Sequence, residues 1–387
     1  MKAVLKKTFE IIAVILFILL MIGFVVLLTF PGKAANKDYR FLDSTFRAME
    51  AKPAGGFYDG KGRVFYPDQN VQLPRIGADN KIKTFVINNI TVYNYGLIGT
   101  AVDWVNMHNY QTNRTFILNN VNFYNQANIG LLIEGSHRST FNNLSFYNCR
   151  VGAKFILCLE GYATQLQTHQ TKDTGVFIGY GNCTGCTNSN SQSNDFRING
   201  FRDYGTGTGI ALIYKGVSGG VVTSLTNEGH GRDVFLQVDA SGSNFMKDFT
   251  ASHFHIECFN ETAVIEAKPN GSKFYFNDFF SQAANVLVSG KGLGSIYLER
   301  VYYIPNNYSP YEHYTPPLTG NKFQNLSGEN GSLWWQFTDC EATNRTIYND
   351  ANWIIGNGST KPRPFAPGQT TNNSGSNRLY EIPCFTN

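Results

Sequence analysis

With 42% hydrophobic and only 16% charged residues in 387, the chain is too apolar for a highly charged disordered polymer, and it is long enough for two average domains or one elongated one. Its formal net charge of +4 is spread thinly with no Lys/Arg run, which argues against a nucleic-acid partner. The seven Cys are an odd number, so in an exported protein at least one is free or pairs between chains.

The first element along the chain is apolar. Residues 11–30 (IIAVILFILLMIGFVVLLTF) carry no charge and, at about 1.5 Å per residue, are long enough to span a bilayer as a helix. A cleaved signal peptide is the alternative, but its apolar region usually runs about 7–15 residues with small residues before the cut. Here the only nearby small pair is Ala34-Ala35, and Lys33 stands where a small residue is wanted. Lys2, Lys6 and Lys7 precede the span, and Lys33, Lys37 and Arg40 follow it, so charge alone leaves the orientation a near tie. Glycosylation acceptors break it. Asn-X-Ser/Thr occurs at Asn89, Asn113, Asn143, Asn182, Asn260, Asn270, Asn307, Asn325, Asn330, Asn344, Asn357 and Asn372, all after the span. The expectation is a single-pass type II membrane protein: residues 1–10 a cytoplasmic tail, 11–30 the anchor, and the rest extracellular or on a virion surface. Accidental sequons in an Asn-rich chain are the competing explanation.

Residues 31–56 read as a polar spacer (31–41) and a short amphipathic helix over 42–51 (LDSTFRAMEA), ended by Pro53 and Gly55-Gly56. Such a helix suits the open apolar end of an elongated coil; a solvated stalk helix is the alternative.

A seven-residue phrase then occurs three times: Asn88-Asn-Ile-Thr-Val-Tyr-Asn94, Asn119-Asn-Val-Asn-Phe-Tyr-Asn125 and Asn142-Asn-Leu-Ser-Phe-Tyr-Asn148. Its third and fifth residues are apolar and its fourth is polar, the period of a strand with one buried face. The wording decays but the beat continues, with starts near Thr164, Asn199, Thr223, Lys247, Asn277 and Glu299, most of them 22–24 residues apart. A second apolar strand follows most phrases, as at residues 129–133, 176–178, 210–213, 234–236, 264–265 and 286–288. A short strand returning at this interval points to an all-β coil of stacked parallel strands, a parallel β-helix of about nine or more turns over residues 57–305. A propeller repeat is nearer 40–50 residues, and a sandwich has no reason for recurring wording. The recurring Asn suits corners that need left-handed backbone or a side-chain hydrogen bond. From residue 306 to 387 the beat is lost and an irregular C-terminal cap or tail is expected.

Gly62-Arg-Val-Phe-Tyr-Pro67 followed by Val71-Gln-Leu73 resembles the opening of pectate-lyase-like right-handed parallel β-helix proteins, including phage tailspike-type chains. The resemblance covers about a dozen residues and departs from the pattern at Asp68-Gln-Asn70, where a Gly-containing turn is common. It implies a right-handed coil. Trimers are common in tailspikes, whereas sequons on most turns argue against burying a whole side, so the oligomeric state stays open.

The best constellation for chemistry lies on the turns near Thr223 and Lys247. In His253-Phe-His255-Ile-Glu257 the alternation puts both His and the Glu on the outer face if Phe254 and Ile256 point inward. A 24-residue step back reaches Glu228, His230, Arg232 and Asp233, and stacks His230 near Phe254 and Asp233 near Glu257. Asp233, Glu257, His230 and His255 are thus candidates for acid–base work on a sugar chain, with Glu228, Arg232 and His253 as ligand-binding candidates. An ordinary polar outer face is the plain alternative. The widest gap between sequons, Asn182 to Asn260, contains these turns, as a face kept free of glycan would.

Gly229-His230-Gly231 is similar to the Gly-His-Gly of polygalacturonase-type glycosidases, but no Asp-Asp pair occurs anywhere in the chain and the family's other elements are missing. The Asp cluster that binds Ca²⁺ in pectate lyases is likewise not recognisable. Cys183-Thr-Gly-Cys186 lacks the second pair that a zinc site needs and suits a local disulfide. Cys149, Cys158 and Cys258 are expected inside. No Gly-rich phosphate loop or Ser nucleophile elbow is present, and no metal or other cofactor is expected. Trp334-Trp335 either stack on sugar rings or fill a terminal cap. The functional expectation is a surface attachment or structural protein that binds a glycan or a partner chain; the alternative is a lyase or hydrolase acting on an extracellular polysaccharide.

Overall fold

The structure is a computed structural model that describes residues 32–75, 83–99, 114–180, 193–204, 209–230, 233–240, 248–259, 263–282, 288–290 and 294–304, and short strands at 321–322, 333–338, 345–346, 352–355 and 380–381. The apolar run 11–30 lies outside these residues, as do all the sequons except those at Asn89, Asn143 and Asn270. Among the described residues no helix is long and apolar enough to cross a membrane.

The described chain is one helix followed by parallel strands in two large sheets and one small two-stranded sheet, an all-β arrangement compatible with a parallel β-helix. From Gly55–Phe65 to Gly294–Ile304 successive strands alternate between the two large sheets, so each circuit adds one rung to each sheet. The three copies of the phrase lie on successive rungs of one sheet, with Asn88 beside Asn119 and Asn119 beside Asn142.

Each position of the phrase has a physical task. In Lys83–Tyr93 buried and partly exposed residues alternate up to Ile87, two outward residues follow at Asn88 and Asn89, and the alternation restarts at Ile90. Asn89 has φ 55°, and the bend it makes returns Ile90 to the core. The same left-handed bend recurs at Asn120, Asn143, Gln165, Gly200, Ser224, His253 and Asp278, with φ between 52° and 86°. Asn and Gly tolerate that conformation best, so both occur in the column. The first Asn builds a ladder along the coil: Asn119 Nδ2 donates to Asn88 Oδ1 (2.8 Å), Asn142 Nδ2 to Asn119 Oδ1 (2.7 Å) and Thr164 Oγ1 to Asn142 Oδ1 (2.7 Å). The last Asn makes a second left-handed corner, at Asn94, Asn125, Asn148 and Gln170. Between the corners Ile90, Val121, Leu144 and Leu166 point inward and are essentially inaccessible.

The main core cluster runs from the helix to Ile296, and a small second cluster forms around Ile156 and Leu157. Rings stack within the main cluster, Phe123 on Phe146 at 5.1 Å with planes 8° apart. Cys149 and Cys158 are buried, as expected. The helix Gly32–Glu50 closes the N-terminal end. Leu42, Phe46 and Met49 recur at helical spacing, are buried, and belong to the coil's own core. Lys83 Nζ donates to Glu50 O (2.9 Å), satisfying a carbonyl in the helix's last turn. The expected polar spacer over 31–41 is instead helical from Gly32. Tertiary contacts extend the helix there: Tyr39 packs on the core and Asp38 Oδ2 accepts from Tyr66 N (2.9 Å). Within residues 306–387, Leu333–Thr338 pairs in parallel with Gly294–Ile304, and Asn352–Ile355 with Leu333–Thr338, so the described strands extend the same sheet.

Candidate functional site

The candidate residues lie on Gly220–His230 and Asp248–Phe259, adjacent parallel rungs of the larger sheet. Their alternation places Leu225, Asn227, Phe254 and Ile256 inside and leaves Glu228, His253, His255 and Glu257 exposed. Thr226 pairs with His255, and Glu228 with Glu257. Parallel neighbours stand about 4.8 Å apart, so Glu228 and Glu257 face outward on adjacent rungs. His255 Nε2 lies 3.2 Å from Glu257 Oε1, each side chain about half exposed (52% and 48%). At that exposure the contact contributes little to stability, so it is not needed to hold the fold.

The remaining candidates separate from this group. His253 occupies the left-handed corner, φ 59°, with Nδ1 3.1 Å from Ser252 Oγ and Nε2 3.6 Å from Asp278 Oδ2. Asp233 stands at the entry to the other large sheet, just before Val234–Asp239. Its Oδ2 accepts from Gly209 N (3.1 Å) while its own N donates to Gly209 O (3.0 Å). It ties two rungs together. His230 pairs with Phe259, and neither His230's side chain nor Arg232 is among the described features. Trp334 and Trp335 continue the register from Ser295 and Ile296. Cys183 and Cys186, and the side chain of Cys258, also lie outside the described residues.

The expected stacking of His230 on Phe254 and Asp233 on Glu257 therefore does not occur. Thr223 pairs with Ser252, five residues beyond the Lys247 that the beat assigns to it. The paired positions are 29 residues apart rather than 24 while the alternation within the strand holds, so the faces are right and the register is not. Asp278 was absent from the candidates, although its place is legible: Asn277-Asp278 occupies the Asn-Asn positions of the phrase.

Among the described residues no group of three or more His, Cys, Asp and Glu is placed to hold a metal ion. Burial pushes the thiols of Cys149 and Cys158 up to about 12, which keeps them protonated and unreactive. What the patch offers is two outward carboxylates on adjacent rungs, an imidazole 3.2 Å from one of them, and the Thr226 hydroxyl position beside it, all on paired strands. This set can accept hydrogen bonds from sugar hydroxyls or move a proton. No protein-family model matches the chain, and no curated protein or solved structure matches it.

Proposed function

We propose that the chain is a membrane-anchored, glycosylated surface protein whose ectodomain is a right-handed parallel β-helix of the pectate-lyase-like kind, and that it binds a glycan or a partner chain on the outer face around Glu228, His255 and Glu257. The observation that carries this reading is the register pairing Glu228 with Glu257, with His255 3.2 Å from the latter. It makes a compact, exposed hydrogen-bonding patch on a backbone that packing holds still. Anchorage rests on the uncharged run 11–30, and glycosylation on the twelve sequons. Of the described sequons, Asn270 lies exposed in a turn, whereas Nδ2 of Asn89 donates to Asp59 Oδ1 (3.0 Å) and Nδ2 of Asn143 to Asn120 Oδ1 (2.9 Å).

A glycan array probed with the full chain in detergent tests the reading. Glu228→Gln and Glu257→Gln each remove a charge-assisted acceptor, worth about 1.5–3 kcal/mol, so binding is expected to weaken roughly 10- to 100-fold in either variant. Binding that both variants leave unchanged sinks the assignment.

One feature favours a second reading, hydrolysis of a polysaccharide. Retaining glycosidases hold two carboxyl groups about 5–5.5 Å apart, and adjacent rungs start from a comparable backbone spacing of about 4.8 Å. Glu228 then takes the part first assigned to Asp233, and His255 assists Glu257. On this reading Glu257→Gln abolishes cleavage by the purified chain; a broad polysaccharide panel left uncut removes it.

A further inference from the structure

A column of aromatic rings runs along the outer side of the coil. Tyr66 and Tyr93 stack at 4.8 Å, Tyr93 and Tyr124 at 4.8 Å, and Tyr124 and Tyr147 at 4.4 Å. His169 takes the next rung, 4.2 Å from Tyr147 with planes 14° apart, and Tyr204 lies beyond it at 4.8 Å and 20°. His169 is the one member of this column that titrates near neutral pH. Its Nε2 is buried and makes no hydrogen bond.

Backbone bonds fix the ring there. Asn148 N donates to His169 O (2.8 Å), and Gln170 N to Tyr204 O (3.1 Å). Two titratable groups face the imidazole, the Tyr147 phenol from the rung below and the Tyr204 phenol from the rung above. The Asp203 carboxylate, one residue before Tyr204, points inward beside Thr168 and acts on the ring through its charge alone. Asp203 is fully buried, and its Oδ1 accepts from Thr168 Oγ1 at 2.5 Å.

We propose that His169 is an acid-sensitive joint in the coil: a proton on its ring loosens the stack between the turns that end at Tyr147 and those that begin at Tyr204. The neutral imidazole fits the column as a tyrosine ring does. The added proton creates a charged donor at a buried position that offers it no acceptor, a costly arrangement. The two tyrosine faces and Asp203 attract a cation, but burial outweighs them and holds His169 below its ordinary value near 6.5. The folded state therefore prefers the neutral ring. The stability this gives is complete above pH 6.5 and is lost as pH falls from there toward the lower folded value. The consequence is local, because each rung of a stacked coil contacts chiefly its neighbours. The coil would open across the strands Thr140–Tyr147, Tyr162–His169 and Arg197–Tyr204 before it melts elsewhere.

Hydrogen exchange and thermal melting of the full chain in detergent, at pH 8 and pH 5, test this. The wild type is expected to show a lower Tm at pH 5, and faster exchange, corrected for the intrinsic rate, concentrated in those three strands. His169→Phe keeps a ring in the column without the proton. It should abolish at least half of the fall in Tm and the local rise in exchange. His169→Tyr, which continues the tyrosine column, should do the same and serves if the Phe variant folds poorly. The proposal is overturned if both variants lose as much Tm as the wild type, or if exchange in the three strands does not rise on acidification.

Discussion

Gly152→Ala is expected to destabilise the middle of the coil by about 1–3 kcal/mol or more, although it adds only one methyl group. A Cβ at this position would lie 2.3 Å from Gly175 O and 3.0 Å from Phe146 Cγ. The first of these is backbone on the next rung and cannot turn aside. Gly130 and Gly175 are equally confined, their Cβ positions 2.8 Å from Gly152 O and 2.3 Å from Ala211 O. The glycines make a narrow column that leaves room for Phe146, whose ring stacks on Phe123. Neither strand can retreat without breaking parallel bonds to rungs above and below. Denaturant unfolding of the variant measures the effect, and an unchanged midpoint would refute the close approach.

Phe46→Asp is expected to cost more. Phe46 is 1% exposed, lies 6.4 Å from Tyr58 in an edge contact, and shares the coil's first core layer with Leu42 and Met49. Truncating a buried Phe costs about 3–5 kcal/mol, and an unpaired buried carboxylate adds to that. The helix is displaced rather than merely weakened. Its loss bares the apolar end of the coil and the strand Gly55–Phe65, whose only neighbouring strand among the described residues is Lys83–Tyr93. An uncovered strand at the end of a sheet recruits other chains. Analytical ultracentrifugation in detergent should show larger assemblies for Phe46→Asp at concentrations where the wild type is uniform. A variant of unchanged size and Tm would mean that the helix is a solvated stalk.

Much of this architecture is legible in seven residues of sequence. The Asn-Asn phrase announces strand, bend and ladder together, because a left-handed bend and a stacked amide both favour Asn. The core follows from its third and fifth positions. Where the wording decays, geometry persists with other residues: Gln165, Ser224 and His253 adopt the same left-handed bend, but their side chains give little warning of it. Val151–Leu159, which pairs with Ile129–His137, is the second apolar strand after the third copy of the phrase, although Gly152 and Lys154 interrupt its apolar run. Thr168, Asp203 and Asn227 are hidden in another way. They replace Val92, Phe123 and Phe146 in an inward column, so a hydrophobic pattern cannot mark them as buried. The candidate site suffered from register alone. Alternation assigned His253, His255 and Glu257 to the outer face, but a 24-residue beat cannot see a 29-residue step between rungs, and so Asp233 displaced Glu228 as the partner of Glu257.

Cysteines introduced in pairs read that register directly. Residues opposite one another on parallel rungs lie about 4.8 Å apart, within the range a disulfide spans. Glu228→Cys with Glu257→Cys, oxidised and mapped by mass spectrometry, is expected to give a 228–257 disulfide in high yield, and Asp233→Cys with Glu257→Cys none. Cross-linking of 233 to 257 in place of 228 to 257 would contradict the site and the function proposed for it.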